Sequence, residues 1–363
     1  MDSSHSQKSS INSLKGSQST TSSHSGEFIF IVLDSQTYMA GDKITGEILI
    51  NIQEPISSGS IELTSTGIEE VLIYDQKDLT SPLITEKNSV FQVSVPLIKS
   101  QTLQAGSYVF PFSIKIPAFC PSSFDFSGRD DKNNYIKSSI SYQISTSFAD
   151  GIKFSDSKSF IVKNKYSLTN PQVNVQCEEV VRGCCSSKGT SRFDLSVINA
   201  QHCEIDGEIS FRLMPDNKNC NAPINRVVVK VESEVSFYTK AGEFKAFKEI
   251  AVVDRATWVG RMSSTVFEKD FEYKCKIVGL ESLNLTSNLT PLVKCEYFLK
   301  VFVFFDSFGM KTPVKVFLPF HVEPVCRLKK VLPKLPENWN PEEMPIVVAL
   351  WNASSGFDIR VMG

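Results

Sequence analysis

The chain has few of the residues on which catalysis is built. Of its 363 residues only four are His. His5 and His24 lie in a Ser-rich arm, and His321 sits in an alternating run, facing away from Phe320 and Val322. No Gly-x-Ser-x-Gly elbow, phosphate loop or His-Glu-x-x-His pattern occurs, so an enzyme is not expected. No apolar run approaches bilayer-spanning length, and the N-terminus lacks the apolar centre of a signal peptide; together these predict a cytoplasmic chain. Met1-Asp2 excludes N-myristoylation, which needs Gly at the second position. The nine Cys have no regular spacing and include no Cys-x-x-Cys, which fits reduced thiols better than a disulfide framework or a zinc knuckle. A net charge of −2 supplies no basic excess for nucleic acid or for bulk membrane attraction. Asn284-Leu-Thr, Asn288-Leu-Thr and Asn352-Ala-Ser match glycosylation sequons, by chance in a chain this rich in Ser, Thr and Asn.

What the chain has is Phe, 26 of them in a composition that is 41% hydrophobic, enough for sizeable cores. These apolar residues recur at every second position, the spacing that puts them on one face of a strand. Ile44, Gly46, Ile48, Ile50 and Ile52 share a face, as do Phe91, Val93, Val95 and Leu97, and Ile140, Tyr142, Ile144, Thr146 and Phe148. Later runs cover Phe193–Val197, Ile209–Leu213, Val227–Phe237, Val293–Phe305 and Val314–Val322. Turn residues separate the runs and no helical stripe appears. The pattern predicts an all-β protein of antiparallel sandwiches.

Residues 1–26 are dominated by Ser, with almost nothing apolar, and read as a disordered arm open to phosphorylation. The rest divides into a first sandwich at 27–165, a second at 175–324, and a tail at 325–363. A Gly-Glu-Ile triplet, Gly46–Ile48 and again Gly207–Ile209, reads in both halves as a turn opening a strand, suggesting two related domains. The polar stretch KNKYSLTNPQVNVQ between them reads as a linker.

The most specific run extends from Leu103 to Phe126. An Ala-Gly turn leads into Tyr108, Phe110, Phe112, Ile114 and Ile116 on one face, followed by Pro117 and Pro121-Ser-Ser-Phe124. Val109, Pro111, Ser113 and Lys115 form the other face, expected to meet water. Pro111 cannot donate a ladder hydrogen bond, so an edge strand or a bulge is expected there. The run resembles a signature of the arrestin N-terminal domain. The resemblance extends to Tyr38-x-Ala40-Gly41-Asp42-x-x-x-Gly46-Glu47-Ile48, to Ile61-x-Leu63-x-x-x-Gly67 and to Tyr135–Phe148. The second half is similar to the arrestin C-domain at Cys184-Cys185-x-x-x-Gly189, Asp206–Ile209, Glu296–Val301 and Pro319–Val322.

The resemblance, nearest to the divergent α-arrestins (arrestin-domain-containing proteins), implies two tandem arrestin-type, immunoglobulin-like sandwiches. It implies a non-enzymatic adaptor that needs no cofactor and binds cytoplasmic tails of membrane proteins for endocytic and endosomal sorting. Its further partners would be trafficking machinery, with peripheral association at endosomal or plasma membranes. The chain has no Pro-Pro-x-Tyr motif, so recruitment of WW-domain ubiquitin ligases by that route is not expected. A retromer-like sorting-coat subunit is the alternative within trafficking. A metal- or redox-sensing sandwich is the alternative from another class, resting on Cys177, Cys184, Cys185, His202, Cys203 and Cys220.

Two sets of site candidates remain. Cys184 and Cys185, beside Arg182, are candidates for acylation, weighed against burial in a core. Arg129, Lys132 and Lys137 flank a loop and are candidates for contact with acidic or phosphorylated cargo, weighed against a solvated surface in which Asp130 and Asp131 balance them. In the tail, Ile346–Trp351 is apolar on both faces and is expected to pack on the body of the protein.

Overall fold

In a computed structural model, residues 26–57, 61–76, 78–98, 102–148, 155–164, 174–183, 186–198, 202–204, 208–261, 272–276, 288–306, 313–323, 332–337, 339–352 and 356–362 are described. The Ser-rich arm, Cys184, Cys185 and the linker core at 165–173 lie outside them. Among the described residues no helix occurs, and the protein is all-β.

The first half supplies β1 (Phe28–Leu33), β2 (Thr37–Met39), β3 (Lys43–Ile52), β4 (Ile56–Ser57), β5 (Ile61–Tyr74), β6 (Pro82–Ile98), β7 (Thr102–Leu103), β8 (Gly106–Lys115), β9 (Phe124–Arg129), β10 (Tyr135–Phe148) and β11 (Ser155–Lys163). The second supplies β12 (Asn174–Arg182), β13 (Ser187–Val197), β14 (His202–Glu204), β15 (Glu208–Cys220), β16 (Ile224–Thr239), β17 (Gly242–Val259), β18 (Glu272–Lys276), β19 (Asn288–Leu289), β20 (Val293–Phe305) and β21 (Val314–Glu323). The tail adds β22 (Glu342–Glu343), β23 (Ile346–Asn352) and β24 (Gly356–Met362).

One sheet of the first sandwich runs β1-β3-β8-β23-β24, with β22 beside β8; the other runs β2-β11-β10-β5-β6, with β9 on β10. The second sandwich pairs β12-β13-β15-β18 with β14-β21-β20-β16-β17, and β19 lies on β20. The period-two residues fill both interiors. Ile44, Ile48 and Ile50 of β3 are buried with Phe110, Phe112 and Ile114 of β8, and Phe193, Phe211, Val229, Phe237, Tyr297 and Leu299 fill the second core. Burying such side chains is what offsets the chain entropy of ordering long strands.

The aromatic strand departs from its sequence reading in two ways. Val109 and Ser113, expected to meet water, are buried, Val109 at 9% exposure. They lie beside the tail, where Val109 pairs with Glu343 and Ser113 with Val348. Nor is β8 an edge. It pairs antiparallel with β3 from Gly106 to Lys115 and parallel with the tail on its other side. The effect of Pro111 is confined to the tail side, where pairing stops after Val109 and resumes at Phe112.

Gly46 also plays a different part from the one expected. It lies inside β3, opposite Phe112, not in a turn. A Cβ there would collide with the backbone oxygen of Val32 and meet the Phe112 ring at 3.0 Å, so close approach of β1 and β8 is what requires glycine. The turn glycine of this region is Gly41, at φ +91°. Gly207 lies outside the described residues.

Candidate functional site

Two places in the fold bring distant parts of the chain together through polar or aromatic groups. One is the side of β8 that receives the tail; the other is the junction between the sandwiches.

At β8, the tail approaches from Trp339, whose ring stacks on Phe28 with centroids 5.7 Å apart. It then pairs Glu342 with Tyr108 and Glu343 with Val109, and the Met344 N–H donates to the Val109 carbonyl at 2.9 Å. Beyond the break, Val347, Val348 and Ala349 pair with Phe112, Ser113 and Ile114. All three tail residues are buried, which accounts for a run apolar on both faces. β23 turns back through β24, pairing Ile346 with Met362 through to Asn352 with Gly356, so the hairpin extends the sheet by two strands. Trp351 meets Phe119 edge-on at 5.5 Å, closing the end of the sandwich where the loop after β8 leaves the sheet.

That loop, the Pro-Ser-Ser segment of the sequence signature, is fixed by backbone carbonyls and hydroxyls. The Tyr142 hydroxyl donates to the Pro121 carbonyl at 2.6 Å, and the Asn164 side chain donates to the Cys120 carbonyl at 2.7 Å. Ser122 Oγ accepts from the Asn164 N–H and Ser123 Oγ from the Val162 N–H. Burial pushes the Cys120 thiol up to about 12 and raises Tyr142 well above the usual phenol range. Neither group is poised for nucleophilic work.

At the junction, Phe126 of β9 packs on Phe237 of β16, with centroids 5.0 Å apart. The Asp131 N–H donates to the Lys245 carbonyl at 2.9 Å, and the Lys240 N–H donates to Glu86 at 3.2 Å. The centre of the junction is Glu69 of β5, with 0% of its surface exposed. Its carboxylate accepts from Asn88 Nδ2 at 3.1 Å, from the Leu292 N–H at 3.1 Å, and from the Thr290 hydroxyl. Two of those donors belong to the second sandwich. A buried carboxylate is tolerable only when hydrogen bonds replace its water, and here the other domain supplies them.

Sequence reading missed Glu69, although a signal was present. On β5 the odd residues, Ile61, Leu63, Ser65, Gly67, Glu69, Val71 and Ile73, are buried, joined only by Tyr74 at the strand's end. A Glu in the core phase beside an outward Ile68 is an inversion that asks for a partner elsewhere in the fold.

The basic candidates do not form one patch. Arg129 is turned onto its own loop, donating to the Asn133 carbonyl at 2.8 Å. Lys132 lies over the Phe244 ring of the second sandwich at 6.0 Å, so it belongs to the junction. Lys137 is exposed, over the rings of Tyr74 and Tyr135. Asp130, read as a balancing surface charge, is instead buried and shapes the loop by accepting from the Lys132 and Asn134 N–H groups and the Asn134 side chain. Among the described residues no group of three His, Cys, Asp or Glu is placed to hold a metal ion. Cys177 pairs with Phe193 and Cys220 with Gly189, while His321 is buried and lies opposite His202. No helix of the described residues is long and apolar enough to cross a membrane.

Tandem β-sandwiches of mainly antiparallel strands, joined by a polar seam, have the architecture of arrestin-type domains. Residues 29–169 match the family model of the arrestin (or S-antigen) N-terminal domain, so the first sandwich is similar to that domain. The match spans β1 to β11 and includes the β8 signature, Gly46, Gly67 and Glu69. No curated protein matches the chain.

Proposed function

We propose that the chain is a divergent α-arrestin-like adaptor that catalyses no reaction. It binds cytoplasmic segments of membrane proteins and helps to route them through endosomal membranes, working in the cytoplasm and at the membrane periphery. The observation that carries this reading is the β8 margin of an arrestin N-terminal domain, which pairs in parallel with an extended segment, Val347–Ala349. A margin that pairs with one extended segment supplies main-chain hydrogen bonds to any other of suitable side chains, the mode of β-strand addition. Lys137, exposed on the opposite sheet, is the basic residue that would meet an acidic cargo segment. Without Pro-Pro-x-Tyr, the adaptor does not engage WW-domain ligases by that motif.

The test is a titration of labelled peptides covering cytoplasmic segments of membrane proteins against the full chain and against a chain ending at residue 331. Binding by both, tighter in the shortened chain, supports strand addition at β8. Binding by neither contradicts the adaptor reading.

A further inference from the structure

The geometry of Thr290 points to a modification site: we infer that Thr290 is a phosphoacceptor for a proline-directed protein kinase, and that its phosphorylation opens the junction between the sandwiches. The inference rests on the junction and stands whether or not the cargo role holds.

Thr290 is followed by Pro291, and its neighbours are presented to solvent, Leu289 at 55% exposure and Pro291 also exposed. Proline at this position fixes the backbone in the extended-to-turn range and removes an N–H, the features a proline-directed kinase reads. Two other Ser/Thr-Pro pairs occur, Ser81-Pro82 and Thr312-Pro313. Ser81 lies in an exposed bend, and Thr312 lies outside the described residues. Thr290 differs in what its hydroxyl does.

The Thr290 hydroxyl has one proton, placed between Glu69 Oε1 of the first sandwich and the Val293 carbonyl of its own loop, the latter at 2.8 Å. The same oxygen accepts from the Val293 N–H at 3.0 Å. The adjacent Leu292 N–H donates to Glu69 at 3.1 Å, and the Leu292 carbonyl accepts from the Tyr238 N–H at 2.8 Å. One hydroxyl therefore ties the loop before β20 to a fully buried carboxylate of the other domain.

Phosphorylation would move the γ-phosphoryl group of a nucleoside triphosphate onto Thr290 Oγ1. The Oγ1–H bond and the bridging P–O bond break, the Oγ1–P bond forms, the proton passes to the kinase's base, and the nucleoside diphosphate leaves. The product has no hydroxyl donor and carries a charge of about −1.5 to −2 at neutral pH. It would stand against Glu69, whose other donors among the described residues are Asn88 and Leu292. No Lys or Arg pairs with Glu69 among the described residues to absorb the added charge. Like charges forced together at a buried carboxylate repel, which would drive the loop before β20 away from Glu69.

The experiment treats the full chain with a proline-directed Ser/Thr kinase and ATP, maps phosphate by fragmentation mass spectrometry, and follows amide hydrogen exchange. Thr290 is expected to take up phosphate. Exchange at 289–293, and at the junction amides of Asp131 and Lys240, is expected to rise tenfold or more. Thr290→Val, which loses the hydroxyl without gaining charge, should show a smaller rise and no added effect of kinase at the junction. Phosphorylated Glu69→Gln should exchange within a few-fold of unphosphorylated Glu69→Gln, because the opposing carboxylate is gone. Phosphate only on Ser81 or Thr312, or phosphorylated Thr290 with junction exchange unchanged, would overturn the inference.

Discussion

Pro111 and Pro345 fall in the same gap of the ladder between β8 and the tail. Pairing ends at Glu343 with Val109 and resumes at Val347 with Phe112, so the gap holds two residues of β8 and three of the tail. Neither proline has an N–H to donate to the ladder between β8 and the tail. Placed together, with one extra residue on the tail side, they confine the irregularity to one point and leave the apolar residues beyond it in register.

Detaching the tail should therefore be possible with a single charge. Val348 is 4% exposed beside Ser113, and an unpaired carboxylate there costs several kcal/mol. Val348→Asp is expected to make residues 332–362 rapidly cleavable by protease and to raise binding of an apolar dye as Val109 is uncovered. Equal protease resistance in variant and parent would mean that the hairpin is not held by this pairing.

Phe112 is buried between β3 and the tail, opposite Gly46 and Val347. Phe112→Ala should cost about 3–5 kcal/mol through lost burial and an unfilled cavity, lowering the thermal midpoint of the first sandwich by many degrees. An unchanged midpoint would show that the aromatic face is not part of the core.

Gly67 is the place where the Tyr142 and Phe91 rings close over the backbone of β5. A Cβ there would lie 2.7 Å from Tyr142 Cε1 and 3.1 Å from the Phe91 ring. Gly67→Ala should destabilise by about 1–3 kcal/mol, read from the denaturant midpoint, because both rings are packed and must shift. A neutral effect would mean that the rings have room to move.

Alkaline pH should weaken the fold. Burial holds the Cys120 thiol up at about 12 and Cys275 at about 11, with nearby Glu208 adding to the latter, and raises Tyr142 as well. Above the ordinary thiol pKa the unfolded chain loses these protons while the folded chain keeps them. Stability present below about pH 9 is then lost as pH rises through the folded values. Denaturant midpoints from pH 8 to 11 should fall, and less steeply in Cys120→Ala. A flat profile would contradict burial of these groups.

Much of the strand pattern was legible because burial on one face imposes a period of two, and β3, β6, β8, β10, β13, β15, β16, β20 and β21 fall on runs read that way. The doubly apolar Ile346–Trp351 likewise announced that it needed cover. Its partner was not legible, since the residues that decide it, Phe112–Ile114, are more than 200 positions away in sequence. Gly46 was misread because a glycine needed for close approach and one needed for a turn look alike in sequence; only the position of Val32 separates them. Glu69 was legible as a misplaced charge but not as a link between domains, because its donors Thr290 and Leu292 come from the other half of the chain.

The adaptor role is tested most directly by affinity purification of the full chain from its native cell with crosslinking before lysis and crosslink mapping by mass spectrometry. Membrane proteins, joined through their cytoplasmic segments to the first sandwich near β8 or Lys137, are the predicted partners. Recovery of soluble proteins alone, with no crosslink from a membrane protein to either sandwich, would contradict it.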